Sequence, residues 1–233
     1  MMAMSIESRV VRDFVQSSSR GGRSVAEQAA MLHILFPRVQ SFDESREEVI
    51  NESFSFADEF MQIVAIPKWQ LVAKTYGEAV QKVLGLLKKQ RGGKFCNRCE
   101  GIEEKLYLHR SEFTEYGMRR LSGQQKGFDI MIVPVQLGRS YKNFSVRLAR
   151  ETFGDEFGLG VFEMGCILLT HPEILQHRDD FGIDCAGDYY DPDGYGATSR
   201  APTFSFTMEL ELGSRWIESS YSNRGAATVF FMS

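Results

Sequence analysis

The chain has 233 residues, 43% of them apolar and 25% charged, with a formal net charge of -4. That length and composition suffice for a sizeable core and exclude wholesale disorder, while the acidic balance weakens the case for a dedicated nucleic-acid binder. No stretch offers the roughly 20 apolar residues of a membrane helix, and Glu7, Arg9, Arg12 and Asp13 break up any signal-peptide core.

A cytoplasmic protein is therefore expected, its four cysteines thiols or metal ligands rather than disulfides. Residues 1–23 end in QSSSRGGRS and read as a flexible N-terminal tail. Residues 24–233 read as one α+β domain.

The domain opens with a capping box, Ser24 and Glu27, in which each side chain satisfies a free backbone N–H of the other. Its helix should run to about Phe36, where Pro37 stops it. A charged segment over residues 42–60 reads as a solvated loop or helix. Trp69, Val72, Tyr76, Val80, Val83 and Leu87 then recur at spacings of three and four, which predicts one long helix ending before Gly92-Gly93.

Residues 102–121 are charged and helical in character. FDIMIVPVQLG, from Phe128, has the apolar run of a buried strand, with Pro134 marking an edge or end. A helix follows with Val146, Ala149 and Phe153 inward, and another near residues 155–169 is apolar on two sides. Thr170 and Glu173 suggest a second capping box and a short helix to about His177.

From Thr203 to Leu212 apolar and polar residues alternate, as on a strand with one buried face. Gly213-Ser214 would turn it into a hairpin spanning residues 203–221, and TVFFM would supply a last strand. The expected fold is thus α+β: a mainly helical N-terminal two-thirds packed on a C-terminal antiparallel sheet.

Candidate sites are partial. Cys96-Asn-Arg-Cys99 could give zinc two corners of a tetrahedron, with no second CxxC to supply the others. Basic residues bunch around it: Lys88, Lys89, Arg91, Lys94 and Arg98. Cys185 lies beside Asp184 and Asp188, with His177 upstream, so thiol, carboxylate and base types are all present. On a straight strand, however, Asp184 and Asp188 stand about 13 Å apart. They cannot share one calcium unless Gly187 bends the chain. Asp191-Pro-Asp-Gly194 has the residue order of a type I turn.

No complete catalytic set appears. The favoured expectation is a non-enzymatic binding or structural module with a protein partner, recruited at a sheet edge by the last strand. One alternative is a hydrolase-type enzyme with an acidic or cysteine-containing site around residues 184–193. Another is a zinc-stabilised protein that contacts nucleic acid through the CxxC and its basic neighbours.

Overall fold

Helix and strand alternate along the computed structural model, which describes residues 23–53, 61–99, 108–192 and 198–232. The first elements are α1 (Val25–Leu35), α2 (Arg46–Ser53), β1 (Met61–Pro67), α3 (Trp69–Val72), α4 (Tyr76–Gln90), β2 (Phe95–Asn97) and β3 (Leu108–Arg110). Then come α5 (Glu112–Gln124), β4 (Ile130–Leu137), α6 (Val146–Thr152), β5 (Glu156–Gly158) and α7 (Val161–Thr170). The last are β6 (Gly182–Asp184), β7 (Asp188–Tyr190), β8 (Arg200–Phe206), β9 (Leu210–Trp216) and β10 (Arg224–Phe230).

The structure departs from the layout expected from the sequence, a helical N-terminal two-thirds on a C-terminal antiparallel sheet. The protein is α+β, but five strands precede α7, and the sheet is mixed. Strands β10 and β6 run parallel, as do β2 and β9. Several strands are only three residues long, too short to show a period of two.

The hairpin expected near residues 203–221 is also corrected. The chain turns at Thr207–Glu209, and Gly213 and Ser214 lie inside β9, opposite Thr203 and Pro202. Phe206 pairs with Leu210 and Phe204 with Leu212, so alternation passes unbroken through the turn. Met208, at its tip, is 91% exposed.

Strand β10 lies inside the sheet, not at its edge: it pairs with β4 on one side and with β6 and β5 in succession on the other. The expectation that the last strand offers a free edge fails with it. Free edges elsewhere are managed by glutamines. Buried Gln28, on α1, accepts a hydrogen bond from the Ala65 N–H at 2.8 Å and donates to the Ile63 carbonyl at 3.1 Å, on the outer strand β1. Strand β4 pairs with β10 only at Val135, Gln136 and Leu137. Pro134 has no N–H to give, and beyond it the Gln125 amide takes over both backbone groups of Ile132.

The main core lies between the sheet and α1, α4 and α7. Ten of ten residues of α7 are buried, including Phe162 and Leu168. It packs on α4, whose apolar stripe Val80, Val83, Leu84 and Leu87 is also buried. Gly165 permits the approach, because a Cβ there would meet Val83 Cγ1 at 2.3 Å. Burying each large apolar side chain contributes about 1.5–3 kcal/mol. A smaller cluster, Tyr141, Val146, Ala149, Ala186, Ala201 and Ala226, joins α6 to the sheet.

Three helices differ from expectation. The long helix predicted from Trp69 is broken at Ala73, and a capping box of Thr75 and Glu78 restarts it as α4. Residues 155–169 split into β5 and α7 at Gly160. Thr170 ends α7 rather than opening a helix, its hydroxyl donating to the Cys166 and Ile167 carbonyls. The predicted tail, apart from Arg23, lies outside the described residues, as do residues 102–107 and the second half of the Asp191–Gly194 turn.

Candidate functional site

The stretch Asp184 to Asp188 is not one straight strand. It bends between β6 and β7, where Ala186 N bonds Asp184 O and Asp188 N bonds Cys185 O. Gly187 makes the bend possible: its N–H donates to Leu159 O at 2.8 Å, and a Cβ would lie 2.5 Å from Gly158 O. The two aspartates nonetheless take different partners.

Asp184 is fully buried and accepts from Arg215 at 2.5 Å. Burial raises its carboxyl above the ordinary carboxylate range, and Arg215 and Arg224 oppose the rise. Cys185 is 0% exposed, and burial pushes its thiol well up, with Asp188 and Asp184 adding to the rise. A thiol held protonated in this way is a poor nucleophile. His177 is exposed, its backbone N–H bonded to Asp180. Among the described residues it makes no hydrogen bond with Cys185, Asp184 or Asp188.

Asp188 belongs to a buried cluster drawn from four elements. Its Oδ2 accepts from the Tyr76 hydroxyl of α4 at 2.8 Å and the Val161 N–H of α7 at 2.7 Å. Glu163, one turn along, accepts from Gly160 N at 3.2 Å and from Arg110 of β3 at 2.9 Å. The Arg110 guanidinium lies 4.7 Å from the centre of the Tyr76 ring.

Burial lifts the Asp188 carboxyl to about 6, with Arg110 pulling the other way. For Arg110, burial alone would lower the guanidinium, but Glu163, Tyr76 and Asp188 outweigh it. The cluster thus ties β3, α4, α7 and β7 through paired charges, while Asp188 Oδ1 and two Arg110 nitrogens are buried without a hydrogen bond among the described residues. Sequence reasoning missed Tyr76, Arg110 and Glu163. The Gly160-x-x-Glu163 spacing was a readable helix start, whereas the meeting of Arg110 with Glu163 follows from the fold.

The CxxC forms a short strand followed by a bend. Cys96 sits half-buried on β2, while Cys99 is fully buried with its thiol pushed up to about 12 by desolvation. Among the described residues, no three His, Cys, Asp or Glu side chains are grouped to hold a metal ion. Its basic neighbours are partly engaged: Arg98 pairs with Glu211 and Arg91 donates to the Ile174 carbonyl. No described helix is long and apolar enough to cross a membrane.

Among the described residues, several openings reach the surface. A narrow cleft of about 90 Å³ touches the buried cluster at Glu163, between Trp69, Met118 and Met131. A cleft of about 270 Å³ lies beside Leu137, Arg139 and Phe181. A groove of about 430 Å³ runs along Arg38, Trp69, Leu71, Val72, Lys74 and Lys82. No known protein family, curated protein or solved structure matches the chain.

Proposed function

We propose that the protein is a non-enzymatic binding module. Its potentially reactive groups are turned inward, and that observation carries the reading. Cys166 and Cys185 are fully buried with raised thiols, and Asp184, Asp188 and Glu163 are each spent on an arginine, a tyrosine or a backbone N–H. Exposed large apolar side chains, among them Phe113, Tyr116, Met208 and Trp216, lie on the outside instead. Such groups suit association better than bond-making chemistry.

Thiol labelling tests this against the hydrolase alternative. Iodoacetamide applied to the folded protein should modify half-buried Cys96 and leave Cys185 intact, with all four cysteines reacting after denaturation. Alkylation of Cys185 in the folded protein at a rate matching Cys96 would overturn the proposal and restore a cysteine-based enzyme.

A further inference from the structure

The groove along α3 has a chemistry that stands apart from the rest of the molecule. Arg38, Lys74 and Lys82 line it with one acid, Glu78. The Glu78 carboxylate is occupied at the start of α4, accepting from Lys74 N and Thr75 N. None of the three cations forms an ion pair among the described residues. Lys82 donates to the Val72 carbonyl at 2.6 Å, which fixes its head at the groove wall. A local excess of positive charge therefore sits on a chain whose net charge is -4.

The groove also has an apolar floor. Leu71 and Ala73 are half-buried, and Val72 is 8% exposed. Trp69 stands at one side, its ring packed edge-on against Tyr76 at 6.0 Å. Tyr76 is itself held by Asp188, so the indole packs against an anchored ring.

We infer that this groove docks an acidic segment of a protein partner, one that carries an aromatic or aliphatic side chain between carboxylates. The inference rests on the binding-module reading and names the partner's chemistry. Carboxylates meet Arg38, Lys74 and Lys82, and the apolar side chain packs on Trp69 and Leu71. Charge complementarity guides the encounter, and the apolar contact holds it. A nucleic-acid strand fits less well: its affinity comes from many phosphate contacts, whereas three cations line this groove and the molecule around it is acidic.

Fluorescence polarisation on the full chain tests it, using a fluorescein-labelled peptide that alternates glutamates with phenylalanine and leucine. Saturable binding is expected that weakens as salt rises, because exposed charges are screened beyond about 10 Å at 0.1 M. The double variant Arg38→Glu, Lys74→Glu should weaken it about tenfold. Both positions are exposed, so folding should survive.

Trp69→Phe should weaken binding less than Trp69→Ala. The double variant Lys88→Glu, Lys94→Glu, beyond the groove, should leave it unchanged. No saturable binding at low salt would overturn the inference, and so would equal loss in the Lys88, Lys94 control. Tighter binding of a single-stranded oligonucleotide would also overturn it, in favour of nucleic acid. Failure here with Cys185 still unreactive would leave the binding-module reading standing.

Discussion

Asp188→Asn should remove a specific pH dependence of stability. The Asp188 carboxyl is fully buried and rises from 3.8 to about 6 in the folded protein. Between those values the folded state holds a proton that the unfolded chain has released. The resulting stability is complete below about pH 4 and is lost as the pH climbs through 6. One pH unit is worth about 1.4 kcal/mol, so the carboxyl costs about 3 kcal/mol at neutral pH relative to its protonated form.

Asparagine stays neutral throughout. Its Oδ1 can still accept from Tyr76 and Val161 N, while its amide occupies the place of the unpartnered Asp188 Oδ1. Urea unfolding of both proteins from about pH 4.5 to 7.5 gives the difference directly and cancels the other carboxylates. The variant should gain on the wild type as pH rises, by up to about 3 kcal/mol less whatever Arg110 loses with its partner's charge. A flat difference curve would refute the titration, and a loss above about 3 kcal/mol at every pH would show that the charge itself is required.

Two further substitutions test the packing. Gly187→Ala should destabilise by about 3 kcal/mol or more, since its Cβ meets rigid backbone at 2.5 Å. Gly85→Ala, in open space on α4, should instead stabilise by about 0.5–1 kcal/mol, and a similar thermal midpoint for both would contradict the geometry. Gln28→Leu should cost about 2–4 kcal/mol, because the Ala65 N–H and Ile63 carbonyl lose their partner. Hydrogen exchange at Ala65 should accelerate in step, and unchanged protection there would show that another group covers the edge.

The parts readable from sequence were those written in neighbouring residues. Ser24 and Glu27 marked the start of α1, the stripe Val80 to Leu87 marked α4, and the apolar run at Ile130 marked β4. Symmetric turns stayed hidden. Around Met208 the pairing of Phe206 with Leu210 preserves the alternation of a single strand, so the pattern contains no break to read. Pro134 suggested an edge, yet it lies in an interior strand, because Gln125 supplies the ladder where β10 stops. The acidic pair was noticed for its spacing. What it does depends on Arg215 and Tyr76, distant residues that spacing along the chain cannot reveal.

The position of β10 has a consequence for how the chain comes to be folded at all. Strands β1 and β4 reach the other strands of the described sheet through β10 alone. It follows every other described strand. During synthesis, therefore, two half-sheets must wait with unmatched backbone until residues 224–230 leave the ribosome and close the gap between them. Contacts so far apart in sequence make for slow folding. A nascent chain stopped before Arg224 should stay protease-sensitive throughout, then gain protection in a single step as β10 emerges.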